Sequence, residues 1–574
     1  MINELLKGIT YNNINDKISI ITYEELEKYI DSLDDVSAIK TMKNLFSYNV
    51  SRLVEEKKPI KVAFLVYSSS EWQCEKIYRM LEDDDKFDPV VIVCGYSHGS
   101  NETIRNTYVD TCKYFRTSEP KHNVIYAGYS NGPKNQDWLS EFSILVYFIT
   151  SKNTMIPFNL DMQNQSISKL IIHIPYSFYL VKPVEEKFKK SPIIKMAWKC
   201  YTSSDLEKSF LASESLLGDY NMIPVGMPKL DDLIESSVKI RENIWKGEAK
   251  YKIIWAPHFN MKQNATFFEN YVFFYEFAKK NPEISWIVHP HPRMELGVVE
   301  AGIFDNLQDY HNYLNKWDKL PNARVMAAGD YLDVFLSSDA LIHDSISFLI
   351  EYFFTNKPQL RLLPEKPREL NTVGEMIKDE VYSARGNDYS EIEDFINKVV
   401  VQGRDSKQND RVQFIDEHFR NDYFGRSSEL IVRDIKKDLE KKMKKVIVFG
   451  VFDYFHLGHL RLFKQALNYG NYLIVAVQKE EYIKVFKPEA NILYSEDERV
   501  EIIQSISLVD EVVLFESVKD DIKKFDFDIF AVGEDQTSDW IKEAIEWCIN
   551  NGKEVVHLKR TPGLSSRDIK NEIK

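Results

Sequence analysis

Residues 446–459 read Val-Ile-Val-Phe-Gly-Val-Phe-Asp-Tyr-Phe-His-Leu-Gly-His, and this stretch decides the fold of the C-terminal part of the chain. Its first four residues form a short apolar run that predicts a buried strand. Residues 460–466 carry apolar side chains at helical spacing and predict the helix that follows. A helix N-terminus presents unpaired backbone N–H groups and the positive end of the helix dipole. The turn between strand and helix therefore favours a bound phosphate group.

Two histidines, His456 and His459, stand on either side of Gly458 in this turn. One histidine near a helix start is usually a cap or a surface residue, whereas two around one glycine, behind a buried strand and a Phe-Asp pair, form a much rarer pattern. Imidazole groups placed there can donate hydrogen bonds to the charge that develops on a transferring phosphoryl group. The pattern predicts nucleotidyl transfer with His456 and His459 as catalytic residues. Substrate contacts in the same turn are expected from Gly450, Phe452, Asp453 and Gly458.

The composition limits the class of protein. The chain has 574 residues, too many for one ordinary core, and 44% of them are hydrophobic. A formal net charge of −14 argues against non-specific nucleic-acid binding. The five cysteines are scattered without a Cys-x-x-Cys pair. Neither a disulfide framework nor a zinc site is therefore expected, and no residue is predicted to be a metal ligand.

The sequence contains no segment typical of secretion or membrane insertion. The first residues lack a basic stretch followed by an apolar core. The longest apolar run, residues 142–149, is far too short to span a bilayer. We expect a cytoplasmic location, with any membrane contact peripheral and at the inner face of the cell membrane.

Strand-like runs alternate with helical patterns through most of the preceding chain. Residues 61–67 and 89–94 are predicted strands with a helix between them, which indicates a βαβ unit in a parallel sheet. A second series of such units starts at residues 251–257. Two Rossmann-like halves in tandem place a ligand in the cleft between them. The predicted organisation is α/β throughout, with a helical segment 1–58, a first Rossmann-like half 59–240, a second half 241–405, a helical linker 406–443 and a Rossmann-like domain 444–574.

Further elements in residues 444–574 match a nucleotide-binding domain. Ser495 and Arg499 form a Ser-x-x-x-Arg element, and Gly533 to Asp535 form a Gly-x-Asp element after a strand. Residues 560–566 read Arg-Thr-Pro-Gly-Leu-Ser-Ser, which suits a phosphate clamp before a helix. Together with the histidine motif, these elements resemble the glycerol-3-phosphate cytidylyltransferases over essentially the whole segment.

This resemblance implies a reaction and its participants. His456 and His459 would stabilise the α-phosphate of CTP as glycerol 3-phosphate attacks and pyrophosphate leaves, with a Mg²⁺ ion bridging the triphosphate. Asp535 would face the nucleotide. The tail departs from the family at Arg567, where a further Thr or Ser is usual. The other substrate-binding residues would be Gly533, Arg499, Arg560, Thr561, Ser565, Ser566 and two lysines expected in a loop, Lys484 and Lys487.

The region before this domain has a split group of polar residues at predicted strand ends. Residues 289–293 read His-Pro-His-Pro-Arg, and residues 343–347 read His-Asp-Ser-Ile-Ser. Asp344 and Ser345 could simply cap a helix, and a His-Pro pair alone is usually structural. With residues 226–231 and Lys357-Pro358, these elements resemble the CDP-glycerol glycerophosphotransferases of teichoic-acid and capsule synthesis over about residues 60–430. That resemblance implies a glycosyltransferase-B-like arrangement of the two halves.

The same resemblance implies the site residues of the transferase. The catalytic residues would be His173, His289, His291 and Asp344, and the substrate-binding residues would be Arg293, Ser345, Ser347 and Glu351. Residues 173–176 read His-Ile-Pro-Tyr where many relatives have His-Gly-Thr, so His173 keeps the imidazole of a general base without its usual neighbours.

The combined hypothesis is a fused two-step enzyme. The C-terminal domain would make CDP-glycerol, and the preceding region would transfer glycerol phosphate from it to a polysaccharide or lipid-linked acceptor. A homo-oligomer is expected. One alternative keeps the cytidylyl transfer but uses another polyol phosphate, and a second makes the N-terminal region a non-catalytic docking module.

Overall fold

The structure is a computed structural model. Its described residues contain eighteen strands, which form three sheets. The described residues are 19–96, 101–129, 137–148, 160–182, 191–213, 215, 217–234, 240–247, 250–259, 266–291, 294–326, 331–419, 423–440, 444–486, 492–506 and 508–560.

The first sheet has seven strands in the order β3-β2-β1-β4-β5-β6-β7, and all of its pairings are parallel. Most of its strand residues are buried, as expected for a parallel sheet covered on both faces. The strands are β1 Ile60–Val66, β2 Phe87–Cys94, β3 Val124–Gly128, β4 Ile144–Tyr147, β5 Leu170–His173, β6 Lys199–Thr202 and β7 Met222–Pro224.

The second sheet has six parallel strands in the order β10-β9-β8-β11-β12-β13. Alternate side chains point to opposite faces, so Trp255 and Trp286 enter one core cluster while Ile254 and Ile287 enter another. The strands are β8 Tyr251–Ala256, β9 Ile284–Val288, β10 Ala323–Val325, β11 Ala340–His343, β12 Gln359–Leu363 and β13 Tyr382–Arg385.

The third sheet has five parallel strands in the order β16-β15-β14-β17-β18. Val446 and Val448 pack on one face, and Ile447 and Phe449 pack on the other. The predicted strand at residues 446–449 is therefore the buried centre of a sheet. The strands are β14 Lys445–Gly450, β15 Tyr472–Gln478, β16 Glu511–Phe515, β17 Ile529–Gly533 and β18 Glu554–Leu558.

The described α-helices mostly connect consecutive strands, which confirms the α/β fold class. Those up to the second sheet are Tyr23–Ile30, Asp35–Glu56, Glu75–Glu82, Asn101–Thr117, Pro192–Met196, Asp205–Ser213 and Pro228–Ile234. Those from the second sheet to the third are Phe267–Lys280, Met294–Glu300, Leu307–Asp318, Leu332–Ser337, Ile346–Glu351, Thr372–Lys378, Tyr389–Asp394, Gln408–His418 and Ser427–Glu440. Those of the third sheet are Leu457–Ala466, Glu480–Phe486, Glu496–Gln504, Val518–Asp521 and Asp539–Asn550.

The chain forms two compact units. The larger comprises Asn15–Glu27 with Lys58–Lys436 and contains the first two sheets, whose shared apolar cluster includes Leu180 and Leu349. The smaller unit contains the third sheet and also Lys28–Lys57, which precedes the first sheet in sequence.

The helix Asp35–Glu56 is joined to the rest of the smaller unit by polar contacts. The Lys40 ammonium donates to the carbonyl of Gln504 at 3.1 Å, and the Asn44 amide donates to that of Asp510 at 3.2 Å. Part of the predicted N-terminal helical segment thus packs on the C-terminal domain. The sequence pattern did not reveal this because the contact spans more than 400 residues.

The helix Ser427–Glu440 lies within the predicted helical linker 406–443 and is partly buried. Ile431, Val432 and Ile435 are buried, and Asp434 accepts a hydrogen bond from the Tyr201 hydroxyl at 3.0 Å and pairs with Lys199 at 2.8 Å. The helix therefore combines charged residues with an apolar stripe that packs on the first sheet.

The segment 226–231 anchors the start of this helix. The buried carboxylate of Asp231 accepts the backbone N–H groups of Ser427 at 2.9 Å and Ser428 at 2.7 Å. Gly226 has a φ of +84°, and a Cβ atom there would lie 2.6 Å from the Ser427 Oγ. Both the backbone conformation and the close approach require glycine.

The described residues bear on three expectations about metals, disulfides and membranes. All five cysteines are buried free thiols. Among the residues with defined positions, no group of three or more His, Cys, Asp or Glu side chains could hold a metal ion. Over that same part of the chain, no helix is both long enough and apolar enough to cross a membrane.

Candidate functional site

The histidine motif follows β14, the strand at which the strand order of the third sheet reverses. Strand β14 is central, with β15 on one side and β17 on the other. In such parallel sheets, ligands bind in the crevice beyond the carboxyl ends of the strands at this point. The strands end at Gly450 and Gly533, so the predicted motif and the Gly-x-Asp element flank the same crevice.

The two histidines are stacked at the start of the helix Leu457–Ala466. His456 is the N-cap, and its Nδ1 accepts the backbone N–H of Gly458 at 3.0 Å. An Nδ1 that accepts is unprotonated, which places the ring hydrogen on Nε2 as a donor. The His456 and His459 ring centroids are 4.1 Å apart with an interplanar angle of 23°.

Burial keeps both imidazoles neutral near pH 7. It lowers the pKa of His456, and together with His456 it lowers the pKa of His459 to about 4. The Nδ1 of His459 is buried and makes no hydrogen bond. The pair is therefore suited to donating hydrogen bonds to an incoming phosphate rather than to holding permanent positive charge.

The loop around the histidines has a strained backbone. Phe452 and Tyr454 adopt positive φ angles of 55° and 51°, and neither is glycine. Such conformations cost roughly 1–3 kcal/mol each and occur where a site imposes them. The bend brings the Phe452 ring to 5.3 Å and the Phe455 ring to 5.5 Å from His459. The bent loop thus places His459 next to two aromatic rings.

Asp453 and Arg499, predicted to bind substrate, hold this loop. Asp453 accepts backbone N–H groups of Leu493 and Tyr494, each at 3.1 Å. The buried Arg499 donates to the carbonyls of Val451 and Gln478 at 2.8 Å each. Its Nε and Nη2 are buried without a hydrogen-bond partner, so the guanidinium retains donor capacity.

The opposite wall of the crevice contains the Gly-x-Asp element. The Arg560 guanidinium lies 3.6 Å from the Asp535 carboxylate, and both side chains are about half exposed. Gln536 was not predicted, yet it accepts the Gly533 N–H at 3.1 Å and donates to the Phe449 carbonyl at 3.4 Å. It thereby joins the ends of β14 and β17.

Several predicted phosphate-binding residues differ in position or lie outside the described residues. Lys484 was expected in a loop, but it lies on the helix Glu480–Phe486, exposed and 3.8 Å from Glu480. An acidic start and a basic end favour that helix. Lys487, Thr561, Ser565 and Ser566 lie outside the described residues, as does Arg293 of the transferase region.

Asp344 organises the second candidate site, in the larger unit. It follows β11, and its carboxylate accepts the backbone N–H groups of His258 and Thr266 at 2.6 Å each. Burial raises the pKa of Asp344 to about 6, although these hydrogen bonds act to lower it. Asp344 therefore fixes the chain beyond β8 to the end of β11, a positioning function that the predicted catalytic role did not include.

The remaining predicted histidines lie at or beyond the strand ends of two sheets. His289 follows β9, is 8% exposed, and has a pKa lowered to about 4 by burial. His291 is half-buried, with its ring 5.6 Å from that of His258. His173 ends β5 of the first sheet, where it is fully buried, its Nδ1 lies 3.1 Å from the Tyr147 carbonyl, and burial lowers its pKa to about 3.

Glu351 joins the two halves of the larger unit. Its buried carboxylate lies 3.3 Å from the Lys229 ammonium of the first half and accepts the Tyr331 hydroxyl of the second. Ser345 begins the helix Ile346–Glu351 without a side-chain cap bond, so its hydroxyl does not cap that helix. Ser347 is half-buried on the same helix.

A small pocket adjoins Asp344 and contains residues that sequence reasoning missed. Its polar lining consists of His258, Asp344, Arg361 and Arg368. Burial lowers the pKa of both arginines, whose guanidinium groups are thus partly desolvated. Arg361 lies inside β12. The signal in the sequence that could have identified it is an arginine within an apolar run. The two guanidinium groups in its lining favour an anion such as a phosphate group.

Both regions of the chain match known families. Residues 53–437 match the family CDP-glycerol:poly(glycerophosphate) glycerophosphotransferase, and residues 447–572 match the cytidylyltransferase-like family. Glycerol-3-phosphate cytidylyltransferases are similar over 136 residues. The Bacillus spizizenii protein is 38% identical, with 98% of it and 23% of this chain covered. The Staphylococcus aureus protein is 35% identical, with 96% and 23% covered.

A solved structure of the wall teichoic acid polymerase TagF, soaked with CDPG, is 13% identical with a TM-score of 0.44. The similarity covers 73% of this chain and 94% of that one.

The fold and the two sites define a two-domain transferase with a nucleotidyltransferase domain at its C-terminus. The chain belongs to the CDP-glycerol:poly(glycerophosphate) glycerophosphotransferase family and carries a glycerol-3-phosphate cytidylyltransferase domain. It is a bifunctional enzyme of CDP-glycerol synthesis and transfer, as the sequence hypothesis predicted.

Proposed function

We propose that His456 and His459 act together on the α-phosphate of CTP. A phosphate oxygen of glycerol 3-phosphate attacks that phosphorus, the bond to the β-phosphate breaks, and CDP-glycerol and pyrophosphate form. The neutral imidazoles donate hydrogen bonds to the oxygens that gain charge. The observation that carries this proposal is the stacked pair at a helix N-terminus, 4.1 Å apart between ring centroids.

The other residues of this domain are assigned by position. Asp453 and Arg499 hold the loop that presents the histidines, and Arg560 and Asp535 contact the nucleotide or its phosphates from the opposite wall. Lys484, Lys487, Thr561, Ser565 and Ser566 stay predictions of phosphate binding. Mg²⁺ also stays a prediction: the described residues form no cluster able to hold it, and no step proposed here depends on it.

In the larger unit, we propose that glycerol phosphate passes from CDP-glycerol to an acceptor hydroxyl, with CMP as the leaving group. The pocket lined by Asp344, Arg361 and Arg368 is proposed to hold the diphosphate, and this charge match is its main support. His289, His291 and His173 remain proposed catalytic residues, and Arg293, Ser345, Ser347 and Glu351 proposed substrate contacts. The acceptor is proposed to be a polysaccharide or lipid-linked precursor, reached by peripheral membrane contact, and the enzyme is proposed to be a homo-oligomer.

The polyol specificity can be tested with the full-length chain. CTP is supplied with glycerol 3-phosphate, ribitol 5-phosphate or another polyol phosphate, and pyrophosphate release is followed. We expect the highest kcat/KM for glycerol 3-phosphate. A preference for a different polyol phosphate would reject that part of the proposal and leave cytidylyl transfer intact.

A second assay separates a transferase from a docking module. The full-length chain is given CDP-glycerol and an oligo(glycerol phosphate) acceptor without CTP, and CMP release is measured. We expect acceptor-dependent CMP release that falls at least about tenfold in the Arg361→Met variant. Intact cytidylyl transfer without any CMP release would favour the docking module.

A further inference from the structure

The carboxyl edge of the first sheet contains a second group of buried polar side chains, which the donor pocket does not include. Leu65, Tyr147 and His173 lie in one row across β1, β4 and β5. Just beyond this row, Tyr67 and Glu71 follow β1, and Gln73 follows them. Tyr67 is fully buried, and Glu71 and Gln73 are each only 6% exposed.

These side chains are tied together and to the His173 segment. The Tyr96 hydroxyl donates to Glu71 Oε1, and the rings of Tyr96 and Tyr67 stack with centroids 5.7 Å apart. The Gln73 amide nitrogen donates to the carbonyl of Pro175, two residues beyond His173. Because that carbonyl can only accept, the orientation of the Gln73 amide is fixed and its oxygen points away from the bond.

Each of the three residues has an unsatisfied polar atom. Glu71 Oε2, Gln73 Oε1 and the Tyr67 hydroxyl are buried and make no hydrogen bond. An unpaired buried polar group costs roughly 1–3 kcal/mol, so three in one place require an explanation. Burial also raises the pKa of Glu71 to about 7, which reflects how poorly its charge is solvated. The half-buried Ser68 and Ser69 and the exposed Ser70 lie next to it on the surface side.

We propose that Glu71, Gln73 and Tyr67 form the acceptor subsite of the transferase and bind the hydroxyl groups of a polyol or sugar chain. The Gln73 amide oxygen can only accept, the Glu71 oxygen accepts when the carboxyl is ionised, and the third atom belongs to a hydroxyl group. This set matches ligand O–H donors and disfavours a phosphate, which would meet the Glu71 carboxyl group and the Gln73 amide oxygen. The inference rests on the proposed transfer reaction, and it places the acceptor beside His173, the predicted general base.

The test uses the full-length chain with CDP-glycerol and an oligo(glycerol phosphate) bearing free terminal hydroxyls. In Glu71→Gln we expect the KM for the oligomer to rise at least about tenfold, while the KM for CDP-glycerol stays within about twofold. Tyr67→Phe removes a single oxygen atom and should raise the oligomer KM about threefold or more. The control is Glu82→Gln, since the Glu82 side chain is 40% exposed and should change neither constant.

Direct titration of the oligomer and of CDP-glycerol onto each variant keeps the inference separate from the proposed function. Weaker oligomer binding in Glu71→Gln with unchanged CDP-glycerol binding supports the subsite even if the wild type releases no CMP, in which case the proposed transfer alone fails. Unchanged oligomer binding in both Glu71→Gln and Tyr67→Phe overturns the subsite. So does an equal loss of affinity for the donor. If Glu71→Gln does not fold, as judged by the absence of a cooperative denaturant unfolding transition, Tyr67→Phe decides.

Discussion

Burial keeps several side chains of the candidate sites neutral or unpaired. The sequence predicted His456 and His459 because their spacing around one glycine is rare. It could not predict that Asp453 and Arg499 support the loop, since their partners are backbone groups some 21 to 48 residues away. Nor did it identify Arg361 and Arg368, because a lone arginine has no motif and only the folded chain brings the two to one pocket.

The first residue-scale prediction concerns His459. Replacement by alanine removes a hydrogen-bond donor to the developing charge and should lower CDP-glycerol synthesis about 10²-fold or more. CMP release from supplied CDP-glycerol should be unchanged. His557→Ala is a matched control, because that histidine is exposed on β18 of the same unit. Equal losses in the two variants would show that the effect is not specific to the motif.

The second concerns pH. Burial lowers the pKa of His289 to about 4 and leaves it neutral in the folded state, in keeping with a buried Nδ1 that makes no hydrogen bond. The unfolded state binds the proton near pH 6.5, so stability is present above that pH and is lost as the pH falls towards 4. Between pH 7 and pH 5, His289 should account for about 2 kcal/mol of lost unfolding free energy. Denaturant unfolding at both pH values should show a smaller loss for His289→Gln than for the wild type. His311→Gln, at a side chain that is 43% exposed, should match the wild type, and an unchanged loss in His289→Gln would contradict the prediction.

At the element scale, parallel strands and the helices between them follow from apolar runs and helical spacing, and these were predictable. The function of residues 226–231 was not predictable. They resembled part of a family motif, yet their contacts anchor the start of the helix Ser427–Glu440 through Asp231. The sequence of that helix shows its lysines but not the surface against which its apolar stripe packs.

The element-scale prediction compares two glycines. Gly226→Ala combines a φ of +84° with a Cβ atom 2.6 Å from Ser427 Oγ, whereas Gly302→Ala at a φ of +68° meets nothing within 4 Å. The control should lose about 1 kcal/mol from its conformation alone, and Gly226→Ala should lose clearly more, about 3 kcal/mol. Denaturant midpoints measure both. Equal destabilisation would mean that the helix end can move away from the added methyl group.

At the scale of the whole molecule, the chain joins the enzyme that makes an activated donor to the enzyme that uses it. The order of the domains was predictable from their motifs. The membership of residues 28–57 in the smaller unit was not, because their contacts with Gln504 and Asp510 depend on tertiary packing rather than on local pattern.

The central claim is that one chain carries both steps at separate sites, and one coupled reaction tests it. Wild type, His459→Ala and Arg361→Met are each incubated with CTP, glycerol 3-phosphate and oligo(glycerol phosphate), and the products are identified by mass. The wild type should lengthen the oligomer and release pyrophosphate and CMP. His459→Ala should lengthen it only when CDP-glycerol is added, and Arg361→Met should accumulate CDP-glycerol without lengthening it. Loss of both steps in either folded variant, or CDP-glycerol that the wild type never consumes, would contradict the account.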